Sequence, residues 1–304
     1  MGTYYSIKFY AADRELNTSS LQQEIDAELE LVNDQMSTYR EHSELVQFNR
    51  QQTTDVIPLS GAMHKVVAEA LRIGAESAVI DITVGPLVDL WGFGPKGRIT
   101  HAPEQQQIDE IRNHVGLSKL RLTDEGLAKL DPRVEIDLST IAKGYGVDQV
   151  ANLLESHNIL NYIVDIGGEM RVKGKKPAAA WRIAIEKPVA SGRSAQRILA
   201  PGDMAIATSG DYRNYFEEGG VRYSHLIDPR TGQPIQHRTV SVTVLHPSAM
   251  TADGYATVLM VLDEKEALAF ANKHQLAALI IVKTDDGFDE IATEAFKPYL
   301  NQQR

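Results

Sequence analysis

Residues 3–10 (Thr-Tyr-Tyr-Ser-Ile-Lys-Phe-Tyr) set β-forming side chains at the two-residue period of a strand. The period then changes. Leu21, Ile25, Leu29, Val32 and Met36 recur at steps of four and three, which predicts one apolar face of an amphipathic helix. A second helix is predicted over about 62–75 from Val66, Val67, Ala70, Leu71 and Ile73. Gly85-Pro86 and Gly92-Phe93-Gly94-Pro95 punctuate the next stretch and leave room only for a short helical turn near 87–91. The polar segment 96–118 carries a predicted helix at 103–114, and a strand at 134–138 leads into a helix from about 140 to 156. Short strands are predicted near 161–166, 169–173, 181–187, 204–209 and 221–227, followed by the alternating run 239–246 (Thr-Val-Ser-Val-Thr-Val-Leu-His). Helices at 251–262 and 264–274 precede strands at 277–282 and 288–292. No repeat, low-complexity tract or linker interrupts this order. The pattern predicts an α+β fold, with mixed and antiparallel sheets and packed helices in one tightly joined body over residues 1–304, at most two-lobed.

Composition narrows the chemistry. The 304 residues include no cysteine, which excludes thiolate metal sites, disulfides and cysteine nucleophiles. Net charge is −10, and the densest basic run is Arg171, Lys173, Lys175 and Lys176 around Gly174, read as a solvated turn. A nucleic-acid footprint would need a broader basic face. No run approaches the roughly 18 consecutive apolar residues of a membrane span, and the opening residues show no charged-then-apolar leader.

Three constellations carry candidate chemistry. In Thr251-Ala252-Asp253-Gly254-Tyr255-Ala256-Thr257, Thr251 is read as an N-cap, and Asp253 and Thr257 fall four apart on one helix face. A carboxylate with a hydroxyl suits a hard cation such as Mg²⁺ or Ca²⁺; the same pair also serves a helix as dipole partner and back-bonded threonine. In Asp137-Leu138-Ser139-Thr140-Ile141-Ala142-Lys143-Gly144-Tyr145, an acid closes an apolar strand and a lysine falls in the first helical turn. There it opposes the helix dipole but can meet a phosphate; an exposed lysine behind an ordinary cap is the plainer alternative. In Tyr223-Ser224-His225-Leu226-Ile227-Asp228-Pro229-Arg230-Thr231-Gly232, His225 closes a strand before a tight turn, where it is either a general base or a surface histidine. Asp165-Ile166-Gly167-Gly168-Glu169 permits close backbone approach to a ligand, or simply turns a hairpin. Residues 208–213 (Thr-Ser-Gly-Asp-Tyr-Arg) form a phosphate-friendly loop sequence.

Taken in order, these segments resemble the ApbE family, the FAD:protein FMN transferases. The resemblance also takes in Met1-Gly2-Thr3, Met36-Ser37-Thr38-Tyr39 and residues 81–94, and so spans nearly the whole chain. It implies a Mg²⁺ site with Asp253 and Thr257 as side-chain ligands and Thr140 as a backbone-carbonyl ligand. Ala256 departs from relatives that carry a further carboxylate at that position. For FAD, taken as substrate, the matching positions are Met1, Tyr39, Val79, Ile80, Asp81, Asp137, Lys143 and Ile227, with Tyr39 suited to stack on a ring from a buried edge. His225 matches the family's base. The implied reaction moves FMN from FAD onto a threonine or serine hydroxyl of an acceptor flavoprotein, such as a redox-pump subunit, within a short Asp/Ser-Gly-x-x-Ser/Ala-Thr motif, and releases AMP. An FAD pyrophosphatase and a non-catalytic FAD-binding protein are the alternatives. The family implies a periplasmic protein whose precursor is an inner-membrane-anchored lipoprotein, so this chain is expected to be a trimmed form of one.

Overall fold

The alternating run near the C-terminal end forms the strand Thr239–His246, inside a seven-stranded sheet in which every neighbouring pair is antiparallel. A computed structural model describes residues 2–11, 16–189, 194–211 and 214–300. The chain divides into two units, residues 1–31, 141–212 and 238–304 making the first and residues 32–140 and 213–237 the second.

The first unit is built on that sheet, whose strands run across it in the order Tyr5–Phe9, Tyr162–Ile166, Glu169–Lys173, Ala205–Gly210, Thr239–His246, Ala277–Thr284 and Gly287–Ala292. Alternation sorts its side chains. Tyr162, Val164, Ile166 and Ala205 join a core with Val147, Val150 and Leu154 of the helix Ala142–Ser156 and Ala249 of the helix Ala249–Val261. Ile163, Val172, Ile206, Leu245 and Leu279 join the opposite core with Trp181, Ile183 and Phe296. Every residue of the Ala249–Val261 helix is buried, so it has no polar face and its polar side chains are enclosed.

Each of these two helices has an acid from the other at its N-terminus. Asp148 of the first accepts the Ser248 hydroxyl (2.7 Å) and the Ala249 and Met250 N–H groups (both 3.1 Å). Asp253 of the second accepts the Gly144 N–H at 2.9 Å. Free N–H groups of a first helical turn require such acceptors, and a cap typically contributes about 1 kcal/mol. Two expectations are corrected here. The Ser139-Thr140 pair does not cap a helix, because the helix starts at Ala142 with Ile141 in the uncapped position. Thr251 is not an N-cap either: Ser248 holds that position, and Asp253 lies inside the helix.

The second unit holds a small sheet in the order Val56–Ile57, Gly126–Lys129, Leu120–Thr123, with helices Glu44–Arg50, Gly61–Ser77, Gly85–Leu90 and Gln105–Arg112. Residues 134–138 were expected to be a strand but pair with none. Val134, Ile136 and Leu138 are buried as a strand's inner face would be. The Asn49 side chain takes the place of a neighbour, accepting the Ile136 N–H at 2.8 Å and donating to its carbonyl at 2.9 Å. The basic run differs too. Arg171 and Lys173 lie on a strand and pair with Asp148 and Glu155, so they are no solvated turn.

Candidate active site

In the first unit, the side chains of interest converge where the two capped helices meet the sheet. Gly144 makes the approach possible, since a Cβ there would lie 2.2 Å from the Ala249 carbonyl oxygen and 2.8 Å from the Asp253 Cβ. Asp253 is 3% exposed, and its Oδ2 takes the Gly144 N–H. Glu169 opens the strand after the Gly167-Gly168 turn, shares a face with Arg171, and is 2% exposed. Its Oε1 receives the Lys143 ammonium at 2.7 Å, while its Oε2 is buried with no hydrogen-bond partner among the described residues. Thr257, one turn beyond Asp253, sends its hydroxyl to the Asp253 carbonyl (3.3 Å) and lies 3.4 Å from the Ser209 hydroxyl.

The charges act strongly on one another. Burial lifts the Asp253 carboxyl to about 7; the Lys143 ammonium and the Gly144 N–H oppose that rise, and the Glu169 charge adds to it. Burial likewise raises Glu169, against the pull of Lys143. Burial works against the Lys143 ammonium, but Asp253 and Glu169 more than offset it, so its pKa stands above the usual lysine value.

In the second unit, Asp81 is held by its own chain. Its Oδ1 accepts the Thr83 N–H (2.8 Å) and hydroxyl (2.5 Å), and its Oδ2 accepts the Leu117 N–H (3.1 Å). Desolvation nonetheless raises its pKa, against the Thr83 and Leu117 donors. Asp137 lines a cleft of about 280 Å³ with Asn49, Gly85, Asp89 and Lys96. Desolvation raises this carboxyl as well, aided by the Asp89 charge and opposed by the Ser139 N–H. The Thr140 hydroxyl is buried with no hydrogen-bond partner among the described residues. His225 follows the strand Val221–Ser224, and its Nδ1 lies 3.1 Å from the Asn214 carbonyl oxygen. A carbonyl only accepts, so Nδ1 carries a proton, and in the neutral ring Nε2 is the basic nitrogen. Phe93 meets the imidazole edge-on at 6.3 Å.

Several expected positions behave otherwise. Tyr39 is 72% exposed and sits on no buried edge. Val79, Ile80 and Ile227 are buried apolar side chains, Ile227 within a cluster with Leu87, Trp91 and Ile108, so only their backbones could address a ligand. Met1, Tyr212 and Arg213 lie outside the described residues. Gly167-Gly168 turns a hairpin: both glycines have positive φ, and a Cβ on Gly167 would meet Thr3 at 2.8 Å. Glu169 was quoted in a motif but given no role. In the sequence it is only the acid after the Gly167-Gly168 turn, heading the mixed strand Glu-Met-Arg-Val-Lys; the burial that forces a partner on it appears only in the structure.

Hard oxygens, a buried carboxylate and a neighbouring ammonium on an α+β frame are the donor types that a divalent cation and a phosphate group would use. The donor set fits Mg²⁺, with a carboxylate and a hydroxyl one helical turn apart and few protein ligands, as suits an ion that keeps several waters. Comparison with known proteins takes the next step. The ApbE family pattern matches residues 1–280, and this chain belongs to that family. An FAD:protein FMN transferase of Vibrio cholerae is 52% identical over 304 residues, covering 99% of this chain and 91% of the relative. The solved flavin transferase ApbE from Vibrio cholerae superposes with a TM-score of 0.92 at 51% identity, covering 99% of this chain and 96% of that one. The Pseudomonas stutzeri flavinyl transferase ApbE in its apo form gives 0.91 at 36% identity, covering 99% and 94%.

Proposed function

We infer that this protein is an FAD:protein FMN transferase that uses Mg²⁺. The observation that carries the reading is the buried Asp253 and Thr257 beside the partly exposed Lys143, in a chain alike over its full length to relatives of that name. Asp253 and Thr257 would hold the cation, with the Thr140 carbonyl as a further candidate. When bound, Mg²⁺ supplies charge neutralisation at the pyrophosphate.

The chain's own residues do the rest. Lys143 meets a phosphate oxygen as a point charge. His225, with Nδ1–H fixed on the Asn214 carbonyl, takes the acceptor hydroxyl proton at Nε2. The acceptor oxygen bonds to the FMN-side phosphorus, the bridging P–O bond breaks, and its electron pair leaves with AMP. Asp81 and Asp137 offer acceptors for ribose or adenine donors, Asp137 from its cleft and Asp81 after giving up bonds from Thr83 and Leu117. The acceptor is a flavoprotein, with threonine in a short glycine-containing motif as the proposed target.

The test incubates the protein with FAD, Mg²⁺ and an acceptor domain bearing that motif, and reads the acceptor's intact mass. One FMN phosphoester is expected, abolished by EDTA and by Asp253→Ala. His225→Ala should slow the transfer by about 10²–10⁴ while FAD binding persists. AMP release with an unmodified acceptor would make the protein a pyrophosphatase, and neither product would leave a flavin binder. A periplasmic setting, proposed from the family resemblance, is checked by fractionating cells that carry the full-length gene.

A further inference from the structure

The first unit buries two carboxylates around one ammonium, and the ammonium bonds to Glu169, the carboxylate without a metal role. Among the described residues its Oε2 is buried with no hydrogen-bond partner, so Lys143 is its main charge compensation. A buried acceptor left bare calls for an explanation. Removing the Glu169 charge would free the Lys143 ammonium to fall onto the remaining acid of the cluster, Asp253, because a buried carboxylate draws the nearest cation. Asp253 would then be occupied by lysine.

We propose that Glu169 is a positioning residue of this centre: by holding the Lys143 ammonium it keeps Asp253 open to a divalent cation and Lys143 directed at a phosphate oxygen. The inference rests on the reading of Asp253 as a metal ligand. Glu169 acts through Lys143 and does not touch the ion.

The experiment is a calorimetric titration of the purified protein with Mn²⁺, in the absence of FAD. It compares wild type with Asp253→Ala, Glu169→Gln, Lys143→Met and the Lys143→Met/Glu169→Gln pair. Glu169→Gln should weaken Mn²⁺ binding about tenfold, as outer-shell changes at metal sites do. In the Lys143→Met background the same change should cost less than about threefold, because the lysine it restrains is gone. Glu169→Gln should also raise KM for FAD more than it lowers kcat, and Glu169→Asp should recover part of both losses. Equal losses in the two backgrounds would overturn the proposal by putting Glu169 on the ion itself, and so would wild-type affinity in Glu169→Gln. If Glu169→Gln does not fold, Glu169→Asp takes its place, with a loss that Lys143→Met must again suppress. Asp253→Ala separates the two readings. If it binds Mn²⁺ like wild type, the metal site itself is misassigned; if it fails to bind while Glu169→Gln binds normally, only the role of Glu169 falls.

Discussion

At the scale of single residues, burial does most of the work at Asp253, raising its carboxyl from 3.8 to about 7. Between those values the folded protein holds a proton that the unfolded chain has released. The stability this group contributes is therefore fully present below about 3.8 and is lost as pH rises through about 7. A divalent cation at Asp253 must displace that proton. Metal affinity should accordingly climb about tenfold per pH unit below 7 and level off above it. Mn²⁺ titrations between about pH 6 and pH 8.5 check this, with proton release read by repeating them in buffers of different ionisation heat. A flat profile would remove Asp253 from the site or remove its burial. Asp81 shows the opposite economy, because its oxygens are already taken by Thr83 and Leu117. A ligand reaching it must displace bonds that hold its loop and tie it to Leu117, so Asp81→Asn should disturb both as well as any nucleotide contact.

At the scale of elements, the reciprocal caps hold the metal-side geometry. Gly144 gives the helix Ala142–Ser156 its close approach to Ala249 and Asp253, and a methyl group there would force the two apart. Gly144→Ala should lower Tm by several degrees and weaken metal binding together, since the Gly144 N–H bond to Asp253 lengthens as the helices separate. Gly61→Ala is the control: a Cβ there meets nothing within 4 Å, and it should change neither. Thermal melts with and without Mn²⁺ decide between these outcomes. The same contacts explain which elements the sequence announced. Helices with a period of their own, such as Thr18–Met36 and Gly61–Ser77, were legible, and so was the alternating strand Thr239–His246. The start of the helix Ala142–Ser156 was misplaced because its first-turn acceptor, Asp253, lies over a hundred positions away; at the helix Ala249–Val261 the local cap Ser248 was passed over for Thr251, and Asp148 adds the distant acceptor. Residues 134–138 carried a true inside–outside pattern, but the partner is the Asn49 side chain, which no pairing rule foresees. The helix Glu44–Arg50 and the strands Leu120–Thr123 and Gly126–Lys129 were missed, being too short to establish a period. Of the candidate site, Lys143 and Asp253 were singled out through motif order, and the structure brings their charges together. Glu169 stayed unassigned because its meaning lies in a lysine on another element.

At the scale of the whole molecule, charge sets how the ligands depend on one another. The chain carries −10 overall, and the cluster itself adds no cationic surplus: above about pH 7, where Asp253 is ionised, Asp253 and Glu169 against Lys143 leave one formal negative charge. Such a centre repels the anionic pyrophosphate of FAD until a divalent ion reverses its sign. Mg²⁺ and FAD should therefore bind with positive coupling, each raising the other's affinity by the same factor, because linkage is reciprocal. A coupling of about tenfold or more is expected, within the usual range for two sites. FAD affinity, followed by quenching of flavin fluorescence, should fall by that factor in EDTA, and Mn²⁺ affinity should rise by it when FAD is saturating. The same coupling must appear in stability. Each ligand alone raises Tm according to its own saturation, and together they raise it by more than the sum. Asp253→Asn removes one carboxylate charge and the metal ligand at once, so it should abolish the coupling and make FAD binding without metal tighter than in wild type. An FAD affinity indifferent to EDTA would show that the nucleotide is held by contacts remote from Lys143 and Asp253, and that cation and flavin occupy independent sites.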